Sequence, residues 1–425
     1  MTPYRRWKTL IPVKETVVME NVINTGDTAW VLVCCSLVLL MTPALALFYG
    51  GMVRRKNILS TLTLSYVFMA LIGVQWVLYG YSLAFGADIK GIVGGLNFLG
   101  LSGVGPLPNE AYSGTIPHGL FAAFQMMFAI ITPALITGAF VERVKFKSFL
   151  LFSLLWATLI YDPLCHWVWG AGGWLKELGV LDFAGGTVVH IAAGFSALAF
   201  ALVIGPRRGY GNFPMEPSNI PLTVLGAGLL WVGWFGFNAG SALAANGVAV
   251  NALLTTNTSG ATAGMVWMIL SSLDGRPSTL GIATGFVVGL AAVTPASGFI
   301  TPMAAMVVGA VAAPLSYYAM RYRERRRLDE SLDVWACHGI SSVWGMIATG
   351  LFATTIVNPG GGNGLFAGNP GQIGVQLLAI IVTMAFSFGG TYIIAGMLHS
   401  SIGLRVTAME EEVGLDISSH GERAY

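Results

Sequence analysis

Apolar residues in this chain run in long unbroken blocks, and polar residues are pushed into the short gaps between them. A helix rises 1.5 Å per residue, so a hydrocarbon core of about 30 Å takes roughly 20 apolar residues to cross. Eleven blocks approach that length, at residues 28–51, 58–86, 118–141, 148–170, 184–205, 220–241, 249–273, 279–299, 302–321, 334–356 and 374–403. The pattern predicts an all-α polytopic membrane protein with eleven transmembrane helices, the last a long one. It divides the chain into a polar N-terminal extension at 1–26, a helical body at 27–404 and a tail at 405–425.

Charge then orients the body. Connections after odd-numbered spans, together with the tail, hold 16 of the 22 Lys and Arg, whereas those after even-numbered spans hold only Lys90 and Lys176. The positive-inside rule places the odd connections and the C-terminus in the cytoplasm and the N-terminus outside. Arg5, Arg6, Lys8 and Lys14 in the extension run against their own predicted side and are outvoted. Lys14 and Glu15 also interrupt what a signal peptide would need as an apolar core. With an odd number of spans, spans 1–5 and 6–10 form two halves of opposite orientation, and inverted repeats place a substrate site at their interface. Corresponding spans 5 and 10 each carry an acid followed by a histidine: Asp182 and His190 in DFAGGTVVH, Asp333 and His338 in DVWACH.

Composition agrees with a lipid environment. The chain is 55% hydrophobic and 10% charged, against about 25% charged in soluble domains. The net charge of +2 gives no basis for binding nucleic acid. The 55 glycines suit closely packed membrane helices. Cys34, Cys35, Cys165 and Cys337 lack metal-ligand spacing and read as buried free thiols.

An ionisable residue inside a span is expensive and marks function by default. His118, His399 and His420 lie at span ends or in the tail, and His166 reads as interfacial. His190 and His338 lie inside apolar runs, either bonding separate backbone carbonyls or facing each other in a narrow pore. Counting 1.5 Å per residue puts His190 about 9 Å from one surface and His338 about 6 Å from the other. That leaves roughly 15 Å between them across a 30 Å core. For the pair to meet, Asp182 must be recessed and span 10 must begin earlier, near Leu328. Asp182 lies about 80° around the helix from His190, so capping the helix start suits it better than contacting the histidine. Asp333 before span 10 reads as a cap in the same way. Phe121, Phe124 and Phe128, Trp167 and Trp169, and Trp234, Phe237 and Ser241 bring aromatics from three spans toward one surface. A belt of interfacial aromatics is one reading; a site for a small cation over ring faces, worth about 2 kcal/mol or more once desolvated, is the other.

The stretches ALFYGGMVRRKN (46–57), DFAGGTVVHIAAG (182–194), GWFGFNAGSA (233–242), VTPASGFI (293–300) and GLDISSHGERAY (414–425) together resemble the ammonium transporter (Amt/Mep/Rh) family. The resemblance implies eleven spans in an inverted five-helix repeat, a homotrimer with one pore per subunit, and no enzymatic activity or cofactor. It implies that Phe124, Phe128, Trp169 and Ser241 recruit ammonium, that Phe128 and Phe237 form a gate, and that His190 and His338 line the pore for ammonia. Asp182 shapes the site, with Trp234 and Thr294 in matching motifs. The tail packs on the cytoplasmic face, where a PII-type signal protein is a candidate partner. Two rival readings follow: an ammonium sensor feeding a fused or associated signalling domain, and a membrane protein holding haem or a metal between His190 and His338.

Overall fold

A computed structural model describes residues 23–425; residues 1–22 of the predicted extension lie outside the described residues. Helices occupy all eleven predicted blocks. They are α1 (Thr25–Met52), α2 (Arg55–Phe85), α3 (His118–Ala139), α4 (146–169), α5 (Gly186–Ile204), α6 (Ile220–Gly240), α7 (Gly247–Leu273), α8 (Thr279–Val293), α9 (Pro302–Arg325), α10 (335–352) and α11 (Gly371–Ser401). Eight of them, all but α7, α8 and α10, are long and apolar enough to cross a membrane. Two short β-hairpins, Asp88–Ile89 with Val93–Gly94 and Pro108–Asn109 with Ser113–Pro117, lie in the connection from α2 to α3.

Local sequence explains where the helices start. Asn24, Asn219, Asn246, Ser278 and Thr301 each present a side-chain oxygen to the first free backbone N–H groups of α1, α6, α7, α8 and α9. Four helices contain a π-helical turn, at Trp76–Gly80, Ala157–Tyr161, Gly186–Ile191 and Trp335–Ile340. Such turns widen the helix by one residue and recur at functional sites. The last two hold His190 and His338.

The packing follows the predicted repeat. α1 lies along α6, and α5 crosses α10, so helices that occupy corresponding places in the two halves meet one another. Glycine makes these crossings close. A Cβ on Gly226 of α6 would stand 2.4 Å from the backbone N of Phe48 on α1, and one on Gly194 of α5 would stand 2.4 Å from the Cα of Gly339 on α10. α11 packs outside this pair, against α5 and α10.

The odd-numbered connections gather at one end around a buried ionic network. Glu142, 1% exposed, accepts from the Arg54 backbone N (2.7 Å), Asn57 Nδ2 (3.1 Å) and Arg207 Nη1 (2.9 Å). Arg207 also grips Asp329 through Nη2 and Nε at 2.8 and 2.9 Å. Arg143, fully buried, donates to Ser331 Oγ and to the Asp329 and Ala139 carbonyls. The tail lies across the same connections. Its Leu415 N donates to Asn57 Oδ1, and its Asp416 accepts from Ser60 N, both at 2.8 Å. Glu411 joins Arg405 to the backbone N of Arg208 at 2.7 Å each. Burial alone would raise the Glu142 carboxyl, but the Arg207 and Arg54 guanidiniums outweigh it and hold the group below the usual carboxylate range; Arg207 and Arg143 do the same for Asp329.

Removing one member of such a buried cluster strands the others, which costs about 3–5 kcal/mol. Glu142→Ala should lower unfolding free energy by that amount in detergent-solubilised denaturation. Because both folded carboxyls titrate below their unfolded values, their contribution is complete above about pH 5 and is lost below about pH 4. A parent protein as stable at pH 3 as at pH 6 would refute the assignment.

Candidate functional site

The site forms where α5 crosses α10. Because Gly194 and Gly339 carry no side chains, the helices approach closely enough for His190 Nδ1 and His338 Nδ1 to stand 3.3 Å apart, one donating to the other. Their rings lie nearly parallel, 5.2 Å between centroids with 19° between planes. His190 Nε2 has no hydrogen-bond partner among the described residues and is buried. The His190 ring also stacks on Trp234 and Phe237 at 5.5 and 5.8 Å, and Trp234 is fixed by its Nε1–H to Thr294 Oγ1 at 2.9 Å. No group of three His, Cys, Asp or Glu is placed to hold a metal among the described residues.

Around the pair runs a narrow cavity of about 10 Å3, room for about one molecule the size of water. Apart from His190 and His338 its walls are apolar, including Met41, Leu45, Ile131, Val189 and Trp234. At one end Phe128 and Phe237 close it, ring centroids 4.3 Å apart and both 1% exposed. Beyond them a vestibule of about 220 Å3 is lined by Phe128, Trp169, Asp182 and Ser241, among others. Trp169 packs edge-on to Phe128 at 5.9 Å, and its indole N–H donates to the Asp182 carbonyl at 3.0 Å. The Ser241 hydroxyl donates to the Phe237 carbonyl at 2.8 Å, which leaves its lone pairs to accept from a donor in the vestibule. Toward the basic end a cavity of about 320 Å3 reaches His338 between Trp267, Tyr317, Leu332 and Asp333.

Phe124 stands elsewhere than the sequence suggests. It is fully buried and does not line the vestibule, because Gly240 on α6 leaves a hollow that its ring fills, edge-on behind Phe128 at 5.0 Å. Phe121, one turn earlier, lines the vestibule instead. Trp167 also turns away, its Nε1 donating to the Ile92 carbonyl at 2.6 Å.

The two acids differ in what they do. Asp182 Oδ1 accepts from Gly185 N (2.8 Å) and Gly186 N (2.6 Å), and Oδ2 accepts from Thr187 N (2.8 Å) and from the Thr187 hydroxyl. It caps α5, as expected, and touches neither histidine. Asp333 does not cap α10. Its backbone is left-handed (φ 59°), and its carboxylate turns to Arg323 Nε at 2.8 Å. Glu330 takes the capping role, accepting from Val334 N at 2.8 Å and Trp335 N at 3.2 Å. Nor does α10 begin near Leu328: residues 328–333 are non-helical, and the helix starts at Trp335. The histidines meet because both helix starts are sunk into the bundle, with Asp182 7% and Glu330 0% exposed.

Three polar residues escape the sequence reading. Asp162, not singled out there, is fully buried in α4 and accepts from Gln75 Nε2 at 2.7 Å. His166 is buried rather than interfacial, its ring nitrogens facing the Ala84 carbonyl and Asp88 Oδ1 at 2.9 Å each. His118 is 4% exposed and bonds the Tyr81 hydroxyl at 2.5 Å. A histidine four residues from the end of its span, as His166 is, looks interfacial by count, and only the hairpin 88–94 folded over it shows otherwise.

Comparison with known proteins decides the family. Residues 29–425 match the model of the Ammonium Transporter Family. The chain belongs to that family. It is 50% identical to ammonium transporter Amt1 of Archaeoglobus fulgidus over 402 residues, 95% of this chain and all of that one. It is 48% identical to the ammonium transporter of Bacillus subtilis, covering 94% and 98% of the two chains. Among solved structures, Mep2 of Candida albicans superimposes with a TM-score of 0.86 at 33% identity, covering 91% of this chain and 88% of that one. A structure described as a sensor Amt protein superimposes with a TM-score of 0.85 at 30% identity, covering 93% and 98%. Within this chain His190 packs on His338, Trp234 and Phe237, Phe237 on Phe128, and Phe128, Trp169, Asp182 and Ser241 line the vestibule, with Phe124 behind Phe128.

Four donors depend on the Asp182 carboxylate, and an ordinary cap is worth about 1 kcal/mol. With all four buried, Asp182→Ala should cost about 3 kcal/mol, read as a lowered midpoint in denaturation of the purified protein. Asp182→Asn, which keeps one acceptor oxygen, should fall between that variant and the parent. Equal stability of all three would remove the capping account.

Proposed function

We propose that the protein carries ammonium across a membrane, drawing it into the Trp169 vestibule, stripping it of water and a proton at the Phe128–Phe237 constriction and passing ammonia along His190 and His338. The observation that carries this reading is an apolar passage with room for about one water molecule, closed by two rings and lined by two hydrogen-bonded imidazoles.

The chemistry follows from what such a passage refuses. Ammonium and potassium are alike in charge and size, so a hole alone does not separate them. A bare cation in this apolar stretch is prohibitive in energy. Ammonium can give its proton to an acceptor such as His190 Nε2 and continue as a neutral molecule; potassium has none to give. In the vestibule the Trp169 and Phe128 rings offer π faces to a cation, and Ser241 offers lone pairs to its N–H groups. Inside, His190 Nε2, without a protein partner, is a hydrogen-bonding site for ammonia or a station for the proton. Asp182 acts through the shape of the α5 terminus.

On this reading the eleven helices all cross the membrane, with the basic end and the tail at 405–425 in the cytoplasm and the vestibule outside. The assembly is a homotrimer, and the tail face is where a PII-type signal protein would dock. The extension at 1–26 lies apart from the transport domain at 27–404. The likeness to a sensor Amt protein supports a second reading, in which the same vestibule binds ammonium but passes little and reports to a signalling domain.

Purified protein in liposomes on a solid-supported membrane distinguishes the two. Ammonium pulses should give currents that potassium pulses do not, and His190→Ala should reduce them at least tenfold. Ammonium binding without current in the parent protein would favour the sensor.

A further inference from the structure

A side-chain amine stands in the vestibule beside the site where ammonium is proposed to bind. Lys176 is carried on the short helix Trp174–Glu177, which is anchored by the fully buried Leu175 and by Trp174 packing on Trp167 at 5.8 Å. The turn leading into it reverses at Gly172 (φ 84°), where a Cβ would stand 2.7 Å from the Cβ of Asp88. This holds the helix over the end of α4. The Lys176 Nζ donates to the Trp169 carbonyl at 3.1 Å, and the residue lines the vestibule with Phe128, Trp169, Asp182 and Ser241. It is the only basic residue in that lining. The one acidic residue there, Asp182, directs both carboxylate oxygens at the α5 donors rather than at the Lys176 ammonium. Trp169 lines the vestibule, and no protein cation lies over its ring among the described residues.

Lys176 therefore holds the same charge and the same kind of N–H donor as ammonium next to the ammonium site, and it occupies a carbonyl that an incoming ammonium could use. We propose that Lys176 is an affinity-setting residue that weakens ammonium recruitment by like-charge repulsion and by competing for the Trp169 carbonyl. The inference rests on the vestibule being the ammonium-binding site. A like charge within a Debye length of a half-open mouth shifts occupancy by about two- to tenfold. Because the barrier at the phenylalanine pair lies further in, the effect falls on half-saturation and leaves the maximal rate unchanged.

Lys176→Met and Lys176→Arg test this in liposomes, by currents across a series of ammonium concentrations. Met should lower the half-saturating ammonium about two- to tenfold at unchanged maximal current, and Arg, which keeps the charge, should stay within about twofold of the parent. The gain in the Met variant should shrink as sodium chloride rises from about 10 to about 150 mM and the Debye length falls from about 30 to about 8 Å. If the parent gives no current, transport is refuted, and calorimetric ammonium binding to the same variants reads the proposal directly, with tighter binding expected for Met. An unchanged or raised half-saturation or binding constant in Lys176→Met overturns it.

Discussion

The contact on which the rest depends is the one between two glycines. Gly194 and Gly339 let α5 and α10 touch backbone to backbone, and only at that separation do His190 and His338 share a hydrogen bond. A side chain at either glycine would push the helices apart and leave two imidazoles buried in apolar surroundings, each short of a partner. Lipid supplies no hydrophobic force between helices, so such crossings rest on close van der Waals packing and on polar links. The crossing also aligns the walls. With α5 fixed against α10, His190 stacks on Trp234 and Phe237 of α6, and Phe237 in turn meets Phe128 of α3.

Around that crossing the chain satisfies its buried polar groups locally before burying them. The starts of α5 and α10 are sunk into the bundle, where free backbone N–H groups would be costly. Asp182 and Glu330 saturate them from within the preceding loops. At the basic end the Arg207–Glu142–Asp329 network does for the connections what the caps do for the helices. It joins segments that follow α1, α3, α5 and α9, and the tail is laid over it through Asn57 and Glu411. Tail and body thus share one set of buried contacts, so displacing the tail exposes groups that also hold the body together.

The fold was legible in the sequence because its signal is length. Blocks of apolar residues and the side on which Lys and Arg collect give the helices and their common end without knowledge of contacts. Much of the site was legible because motifs carried it: DFAGGTVVH and DVWACH hold the paired histidines, and GWFGFNAGS holds Trp234, Phe237 and Ser241. What stayed hidden depended on neighbours distant in sequence. Phe124 and Phe128 share a helix face, but the hollow at Gly240 draws one of them out of the lining. Asp333 has the sequence look of a cap, yet Arg323 on α9 pulls its carboxylate away and Glu330 replaces it. The depth count went wrong for a related reason: it assumed that helices begin at the membrane surface. Glu330, 0% exposed, caps a helix start that is sunk into the bundle instead.

That recess bears on how a cation is separated from its water. Had α5 and α10 begun at the surface, the histidine pair would have needed longer helices and a longer apolar passage to meet. With both starts sunk, the vestibule and the basic-end cavity reach in from either side, and the stretch closed to water shrinks to the space between Phe237 and His338. A short dry stretch is enough to exclude a charge, since the cost of desolvation is met as soon as the hydration shell is lost. Its neutral counterpart gains from brevity, having only His190 and His338 to replace the hydrogen bonds it gives up. On the transport reading, selectivity and throughput therefore come from the same feature, an apolar passage barely longer than its two imidazoles.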